Sequence, residues 1–383
     1  MNFQLDQDHQ MIRQMAREFA QKEIAPRAAD LDERSQFPNE NVKKMAELGF
    51  QGMMVPQDFG GAGLDTLSYV LVLEEISAAC ASTAVTMSVN NSLFLGPIFK
   101  HGTEAQKKKY LPDFAAGKKL GAYALSEPGS GSDAAALKTT ATKKGNKYLL
   151  NGAKNFITNG PHADAMIIFA TLDPAKKHKG VTAFIVEKEF KGFSVGKIEK
   201  KLGIRASSTS SVILDNCEVP EANRLGQEGE GFTIAMVTLD SGRIGIATQA
   251  LGIGRAALDF AAKYATEREA FGQPIAKFQS IQNKLADMAT QIDAARLLTW
   301  RAAVLKDQRQ NFTKEAAMAK LFASEAANFA AKEAVQILGG YGYIREYPVE
   351  RYFRDAKITE IYEGTSEIQR LVIAREVLKE ISQ

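Results

Sequence analysis

The sequence predicts three consecutive domains in the order α, β, α, and the prediction rests on two changes of pattern along its 383 residues. Residues 1–117 and 231–383 carry apolar residues at helical spacing, whereas residues 118–230 carry short runs of β-branched and aromatic residues bounded by turns. We therefore expect an N-terminal α-helical domain, a small middle β sandwich or barrel, and a C-terminal α-helical bundle.

The first domain is predicted to consist of several helices. Pro26 and the SQFPNE stretch at residues 35–40 are expected to interrupt them. The longest apolar stretch of the chain, residues 67–89, contains Glu74 and Glu75 in its middle. Since two carboxylates are too costly at the centre of a bilayer, this stretch predicts two buried helices and no membrane span.

Five strand-like runs define the middle domain, and a Lys-Gly-Asn-Lys sequence at 144–147 marks a hairpin turn before the first of them. The runs cover residues 147–158, 163–172, 180–189, 193–198 and 210–220.

The last domain begins with a long alanine-rich and glycine-rich segment, residues 243–265, that reads as one helix. The next helix has an apolar seam that steps by three and four residues: Phe278, Ile281, Leu285, Met288, Ile292, Ala295 and Thr299. Another helix is predicted from Phe312 or Thr313 to the glycines at 339 and 340.

The composition is that of an ordinary globular protein and argues against several kinds of function. The 48 basic residues are interspersed with 45 acidic ones, so the net charge of +3 does not suggest nucleic acid as the main ligand. The two cysteines, Cys80 and Cys217, lack CxxC spacing, and the four histidines lack metal-ligand spacing. We predict no disulfide and no metal site.

The N-terminal residues alternate charged and apolar side chains and lack the apolar core of a signal peptide. We therefore expect neither a signal peptide nor a transit peptide. A reducing compartment follows from the cysteine usage: the bacterial cytoplasm, or the mitochondrial matrix for a processed eukaryotic chain.

Four stretches have either a structural or a ligand-binding interpretation. Residues 122–137 concentrate glycine and serine, including Ser126 and Ser132, either as a surface turn or as a ligand-binding loop. Residues 334–344 combine a helix cap with a Gly-Gly-Tyr-Gly-Tyr turn that could support a planar or phosphorylated ligand.

The third stretch contains two arginines near glycines, Arg243 with Asp240 close by, and Arg268. Arginine binds phosphate and carboxylate groups through its planar donor fork, although each of these residues could equally be surface charge. Gly252, Gly254 and Ala257 form the fourth, a match to a dinucleotide-binding pattern. Because that pattern must follow a strand, whereas this segment reads as helix throughout, we attribute the small residues to helix packing.

Glu363 lies between Tyr362 and Gly364, on the connection to a C-terminal helix that Thr365 or Ser366 can cap. A glutamate before a glycine is commonly a solvated turn residue. The apolar residues that precede it suggest a packed turn instead, and desolvation of a carboxylate raises its pKa and makes it a better base.

Several stretches taken together resemble the acyl-CoA dehydrogenase family, in that family's order: EPGSGSD, NGAKNFITNG, LDSGRIGIATQALGIG, YATEREAFGQPI, FQSIQNKLADM, QILGGYGY and IYEGTSEIQ. The resemblance spans nearly the whole chain and is strongest to the short-chain branch, the butyryl-CoA dehydrogenases. It implies an N-terminal α-helical domain, a middle β domain and a C-terminal four-helix bundle, assembled as a homotetramer of two dimers.

The resemblance also implies FAD and an acyl-CoA thioester. The flavin-contacting residues it implies are Tyr123, Leu125, Ser126, Ser132, Phe156, Ile157 and Thr158. Phe156 departs mildly from the family, which commonly has Trp there. Residues implied to reach FAD from the partner subunit are Arg268, Gln279, Gln336, Ile337, Gly339 and Gly340. Phe271 is also implied to bind the cofactor, and Thr365 and Glu367 are implied to lie beside it. Ser132, Asp240, Arg243 and Gly364 are implied to contact the substrate.

Glu363 matches the family's catalytic base. Some relatives carry the base immediately before Arg243, where this chain has Gly242, so Glu363 is the candidate. The implied reaction is α,β-dehydrogenation of a short acyl-CoA to the trans-2-enoyl-CoA, with electrons passed to an electron-transferring flavoprotein. The alternatives are a branched-short-chain or medium-chain acyl-CoA dehydrogenase, an oxygen-using acyl-CoA oxidase, and an acyl-CoA binder without chemistry.

Overall fold

The computed structural model describes residues 4–382 and has the predicted order of helices, sheet and helices. Residues 1–3 and Gln383, which the predicted domain ranges include, lie outside the described residues. The α-helices are α1 (Gln7–Phe19), α2 (Ala25–Glu33), α3 (Asn39–Glu47), α4 (Thr66–Ala79), α5 (Ala81–Ser88), α6 (Gly96–His101), α7 (Glu104–Ala115), α8 (Gly231–Glu267), α9 (Gln279–Asp307), α10 (Thr313–Leu338), α11 (Val349–Ala356) and α12 (Ser366–Ile381).

The strands are β1 (Gly121–Ala124), β2 (Thr140–Lys144), β3 (Lys147–Thr158), β4 (Ala165–Thr171), β5 (Val181–Glu187), β6 (Phe193–Ile198), β7 (Thr209–Pro220), β8 (Arg224–Leu225), β9 (Glu269–Ala270) and β10 (Gln273–Pro274). The five predicted runs correspond to β3 through β7. Strands β1, β2 and β8 are short or half polar, so the alternation that marks a strand is weak in them.

The sequence predicted that Pro26 interrupts the first helix, and this prediction was wrong. A π-helical segment, Ala20–Ile24, leads directly from α1 into α2, and Pro26 lies in the first turn of α2. Proline lacks an N–H and is tolerated in a first helical turn, and the wider π turn lets the chain continue. The SQFPNE stretch does separate α2 from α3.

The apolar stretch of residues 67–89 forms the two predicted buried helices, α4 and α5. Glu74 and Glu75 are both buried, and arginines from α1, α8 and α9 pair with them: Arg13, Arg17, Arg255 and Arg296. Among residues 4–382, no helix combines the length and apolarity needed to cross a bilayer.

The middle domain is built from two groups of strands that meet at a single residue pair, Thr140 of β2 with Thr171 of β4. One group has the order β6-β7-β3-β2, and the other contains β1, β4, β5 and β8. Apolar residues of both groups share one core, which the two groups enclose between them. The second group has a further apolar face, which packs on α6, α7 and the start of α8.

The C-terminal domain is helical, and α8, α9 and α10 pack on one another, while α8 and α9 also pack on α4. Gly252 and Gly254 lie inside α8, where a Cβ would overlap Ser77 of α4 and Ile292 of α9. The predicted role of these small residues in helix packing is thus confirmed, and α8 is continuous through them. The C-terminal end of α10 lies beside α11, and α12 packs on α10.

Candidate functional site

Glu363 lies between the short helical segment Lys357–Glu360 and α12, whose N-cap is Thr365. Its φ angle is 54°, and the next residue, Gly364, has a φ of 95°. The left-handed region is easy for glycine but costs an ordinary side chain about 1–3 kcal/mol, and such strain is concentrated at functional sites. The backbone therefore turns sharply at this glutamate.

The Glu363 carboxyl group faces α8 at Gly242. A Cβ at position 242 would overlap Glu363 Oε2 and would also press on the Leu93 side chain. Oε2 is buried and has no hydrogen-bond partner within the described chain. Burial raises the pKa of Glu363 to about 7, and the charges of Lys320 and Arg243 only partly oppose that rise.

The carbonyl group of Gly364 accepts two hydrogen bonds from fully buried side chains. Lys320 of α10 donates from Nζ at 2.5 Å, and Gln369 of α12 donates from Nε2 at 2.8 Å. Gln369 Nε2 also lies 3.4 Å from the carbonyl oxygen of Glu363. Side chains from two helices thus hold the peptide that follows Glu363.

Tyrosines surround the same carboxylate. Tyr123 on β1, Tyr69 on α4 and the adjacent Tyr362 each have a raised pKa, caused first by burial and then by the negative charge of Glu363. The Tyr69 hydroxyl bonds Ser88 Oγ at 2.8 Å, and the Tyr362 hydroxyl bonds Gln249. Two predicted site residues, Tyr123 and Glu363, thus lie close enough for the charge of Glu363 to raise the pKa of Tyr123.

The predicted flavin loop follows β1. Leu125 is largely buried, Ser126 is partly buried and Ser132 is exposed. The loop is anchored beneath by Glu127, which accepts hydrogen bonds from the backbone N–H groups of Lys138 at 2.6 Å and Thr139 at 3.0 Å.

The anchor is completed by a buried ion pair, in which Lys154 Nζ lies 2.7 Å from Glu127. Lys154 also donates to the Leu125 carbonyl at 3.2 Å. Strand β3 and the flavin loop are therefore held together from below.

Phe156 projects from a β-bulge. The pairing of β3 with β7 shifts register between Lys154 and Ile157, and Phe156 has a φ of 59°. A bulge re-aims a side chain, and here the Phe156 ring is 64% exposed while its neighbour Ile157 is buried. Thr158 is partly buried. The bulge presents a flat aromatic ring at the surface.

Asp240 and Arg243 form an ion pair within α8, and Thr313 Oγ1 donates to Asp240 at 2.7 Å. Arg243 is 5% exposed. Its positive charge acts to lower the pKa of Glu363, against the effect of burial. Its Nε is buried and has no acceptor within the described chain. This orphan donor leaves Arg243 one hydrogen bond to offer to a ligand.

A second group of predicted residues lies elsewhere, at the C-terminal end of α10. Arg268, Ile337, Gly339 and Gly340 line a cavity of about 410 Å³, together with Tyr264, Ile275, Leu338, Tyr341 and Ile344. Seventeen residues of α10 separate Ile337 from Lys320, which is about 25 Å at 1.5 Å per residue. One chain therefore carries two separate parts of the predicted site.

The remaining predicted cofactor residues lie on the surface. Phe271, in the β9–β10 turn, is 95% exposed, and Gln279, Gln336 and Glu367 are exposed too. Thr365 serves as the N-cap of α12 and accepts from the Ile368 N–H. Within this chain, none of these five residues lines the 410 Å³ cavity.

Another cavity, of about 900 Å³, lies between α1, α4, α8 and α9 and contains the Glu75 carboxylate with its arginine partners. The predicted site residues do not line it. In the part of the chain that the structure describes, no group of His, Cys, Asp and Glu side chains could hold a metal ion, and both cysteines are free.

Sequence reasoning missed the polar residues that support the site, namely Lys320, Gln369, Glu127, Lys154 and Tyr69. A signal existed for Lys320, because it occupies the buried stripe of an alanine-rich helix between Ala316 and Ala327. Lysine is almost never fully buried unless its charged group has a partner. Lys154 gave no comparable signal, since β3 alternates irregularly around its bulge.

Comparison with protein-family models gives three matches in succession. Residues 6–118 match the acyl-CoA dehydrogenase N-terminal domain, residues 122–217 the middle domain, and residues 229–378 the C-terminal domain. Together these models cover most of the chain.

Individual relatives are similar over nearly the full length. The chain is 58% identical to the mitochondrial short-chain specific acyl-CoA dehydrogenase of Mus musculus, over 98% of this chain and 91% of the relative. Among solved structures, butyryl-CoA dehydrogenase from Megasphaera elsdenii has a TM-score of 0.97 at 47% identity, covering 99% of this chain and 100% of that one. A chain in a structure concerning the electron transferring flavoprotein of Acidaminococcus fermentans has a TM-score of 0.98 at 51% identity, with coverages of 99% and 100%.

Proposed function

Because the chain belongs to the acyl-CoA dehydrogenase family, we propose that it converts short, straight acyl-CoA thioesters, such as butyryl-CoA, to trans-2-enoyl-CoA. Members of this family are FAD-dependent acyl-CoA dehydrogenases. The observation that carries the proposal is the Glu363 carboxylate, whose buried Oε2 has no partner within the described chain and whose pKa is raised.

Glu363 acts as the general base in this proposal. The thioester acidifies the Cα–H bond, and a base works best when its pKa lies near the working pH. Because the pKa of Glu363 is raised to about 7, its carboxylate form accepts the Cα proton more readily than the carboxylate of an ordinary glutamate does. The charge that develops on the thioester oxygen needs donors, and we assign one to the backbone N–H of Glu363, worth roughly 3 kcal/mol of barrier.

The residues present fit FAD. The exposed ring of Phe156 offers a flat surface beside the loop of Leu125, Ser126 and Ser132, and Arg268 offers a phosphate-binding guanidinium in the 410 Å³ cavity. When bound, FAD supplies the acceptor for the hydride that leaves Cβ. These residues, with Thr158, are proposed to hold and orient it.

Tyr69 and Ser88 face α8 one helical turn from the proposed base, and we propose that they favour a short acyl chain. Gly245 follows Gly242 on α8 by three residues, about 4.5 Å along the axis. A Cβ at Gly245 would lie 2.6 Å from Ser88 Oγ and 2.9 Å from the Tyr69 hydroxyl. Since Tyr69 is buried and bonded to Ser88, we propose that its ring limits the length of the acyl chain beyond the base.

We further propose that two subunits share each FAD. Lys320, which bonds the Gly364 carbonyl beside Glu363, and Ile337 of the 410 Å³ cavity are about 25 Å apart along α10. We therefore assign to the partner subunit the contacts that Arg268, Phe271, Gln279, Gln336, Ile337, Gly339 and Gly340 make with each FAD. These residues are largely exposed in the single chain. A homotetramer of two dimers would cover the exposed apolar side chains of α12, which include Leu371, Leu378 and Ile381.

Electrons are proposed to leave through an electron-transferring flavoprotein, as the similarity to the Acidaminococcus fermentans structure suggests. The test is anaerobic titration of the FAD-loaded protein with acyl-CoA thioesters of different lengths, followed by flavin absorbance. We expect prompt bleaching with butyryl-CoA and weaker responses with octanoyl-CoA and isovaleryl-CoA. A flavin-bearing protein that no acyl-CoA bleaches would contradict the proposal.

The Tyr69→Ala variant tests the source of chain-length preference. It should shift the preference towards hexanoyl-CoA or octanoyl-CoA, because it removes the ring that is proposed to limit the acyl chain. Tyr110→Phe is the matched control, since Tyr110 is also buried but bonds Glu187 in another domain. An unchanged preference in the Tyr69 variant would assign the short-chain limit to other residues.

A further inference from the structure

We propose that Lys320 is a positioning residue: from inside α10 it holds the Glu363–Gly364 turn in its left-handed form, so that proton abstraction depends on a lysine that does not touch the substrate. The inference deepens the proposed function and rests on Glu363 as the base.

The turn needs an external restraint. Glu363 and Gly364 both have positive φ angles, and for the glutamate this conformation costs about 1–3 kcal/mol. Strained backbone persists only where its surroundings over-determine it. The surroundings here are the two hydrogen bonds to the Gly364 carbonyl, donated by Lys320 and Gln369.

A lysine is an unusual residue to find as the buried donor to the Gly364 carbonyl if its role is only structural. Burying an ammonium group is costly, and a buried charge is normally paired. Among residues 4–382, no carboxylate oxygen lies within 4.0 Å of Lys320 Nζ, although the side chain is completely buried. Methionine would fill the same space in this alanine-rich helix without the penalty. The positive charge is therefore better explained by its effect on the neighbouring carboxylate.

Titratable side chains on several elements lie near Glu363, and two of those among residues 4–382 are cationic and act on its pKa. Lys320 on α10 and, after it, Arg243 on α8 oppose the rise in the pKa of Glu363 that burial causes. The tyrosines Tyr69 on α4, Tyr123 on β1 and Tyr362 remain neutral near pH 7, since their pKa values are raised.

Arg243 shares its charge with Asp240, which leaves Lys320 as the cation without an ion-pair partner in the described chain. Burial lowers the pKa of Lys320 itself to about 8, and the negative charges of Glu363, Glu360 and Glu367 act against that shift. Lys320 is thus mostly protonated near pH 7, where Glu363 is half titrated.

Three variants separate orientation from charge. Lys320→Met removes both the donor and the charge, and Lys320→Gln keeps a donor without the charge. Lys306→Met is the matched control, because Lys306 is another lysine whose pKa burial lowers to about 8, but it contacts Met54 rather than the turn. The measurements are FAD content, melting temperature, the pH profile of flavin reduction by butyryl-CoA, and hydrogen exchange of the backbone at residues 361–366.

We expect Lys320→Met to keep its FAD, to reduce it about 10- to 100-fold more slowly, and to show a rate midpoint at higher pH, because the base loses a stabilising charge. Hydrogen exchange at residues 361–366 should be faster, since the carbonyl loses a donor. Lys320→Gln should recover the slow exchange and part of the rate, but not the original pH midpoint. Lys306→Met should match the parent in all four measurements.

Two results overturn the proposal: an unchanged rate, midpoint and exchange in Lys320→Met, or an unchanged pH midpoint in Lys320→Gln if the Met variant does not fold. Glu363→Gln is measured alongside. If that variant still reduces flavin rapidly, the assignment of the base is wrong. If it is inactive while both Lys320 variants behave as the parent, only the role of Lys320 is wrong.

Discussion

In the part of the chain that the structure describes, two fully buried lysines lie near glutamates, and their surroundings differ. At the predicted flavin loop, Lys154 pairs with Glu127, and two backbone N–H groups also bond that carboxylate. Burial alone would raise the pKa of Glu127, but Lys154 and these bonds bring it below its usual value. Near Glu363, the proposed base, Lys320 bonds a carbonyl instead, and the pKa of Glu363 stays raised at about 7.

Glutamate thus serves two different purposes in this protein, depending on the hydrogen bonds that its carboxylate receives. A carboxylate that receives several hydrogen bonds is stabilised as an anion and becomes an anchor. A carboxylate with a buried, unpaired oxygen is poorly solvated and keeps its capacity to accept a proton from a substrate. The first arrangement should be measurable as folding stability and the second as reactivity.

The largest expected effect is on reactivity, in Glu363→Gln. Loss of the general base should slow flavin reduction by butyryl-CoA about 10²- to 10⁴-fold, while FAD content stays as in the parent. Anaerobic stopped-flow absorbance measures the rate. Glu380→Gln is the control, because Glu380 is an exposed glutamate near the C-terminal end of α12, outside the predicted site. Rapid reduction by the Glu363 variant would remove the distinction between the two glutamates.

The next effect is on stability, in Glu127→Gln. Removing one partner of a buried ion pair leaves Lys154 without its counter-charge, and the expected loss is about 3–5 kcal/mol in the free energy of unfolding. Denaturant titration measures it, with Glu104→Gln as the control, because the Glu104 side chain is 69% exposed in its pair with Lys107. A loss below about 1 kcal/mol would show that Glu127 does not act as an anchor.

A smaller effect is expected from Gly242→Ala. The added Cβ would displace the end of the flexible Glu363 side chain rather than backbone. We therefore expect the reduction rate to fall about 10- to 100-fold, as a displacement of the base by about 1 Å can cause, with little change in melting temperature. Gly145→Ala, in the β2–β3 turn, controls for general effects of replacing a glycine. An unchanged rate would show that the carboxyl group does not need this space.

The smallest effect is the pH dependence of stability. Because the folded pKa of Glu363 lies above its usual value of 4.5, the folded state binds more protons than the unfolded state between about pH 4.5 and 7. The parent should therefore lose stability relative to Glu363→Gln as pH rises through that window, and the difference should level off above it. Unfolding free energies at pH 5 and pH 8 measure this. Equal differences at both values would contradict the raised pKa.

The sequence predicted the fold because the periodicity of apolar residues changes where the architecture changes. The seam from Ile281 to Thr299 forms α9, and the hairpin at 144–147 joins β2 to β3. Strands β1 and β8 were not predicted, because they have four and two residues, too few for an alternation of apolar and polar residues to appear. The predicted break at Pro26 was wrong because a π-helical segment precedes it, and such a segment has no sequence signal of its own.

The candidate base was also predictable, since Glu363 precedes a capped helix in a recognisable sequence. Its supporting contacts were not, because they join residues far apart in the chain. Lys320 is 44 residues from Gly364, and Lys154 is 27 from Glu127. The bulge that exposes Phe156 depends on the register between β3 and β7, which a single strand does not encode.

The spacing along α10 has a genetic consequence for the proposed sharing of FAD. A chain with Glu363→Gln is defective in the base but intact at the Arg268 cavity, whereas a chain with Arg268→Ala is defective in the opposite way. In a mixed dimer, one of the two sites combines the intact base of one chain with the intact cavity of the other. Two inactive alleles expressed together should therefore complement each other and restore activity to a fraction of the sites.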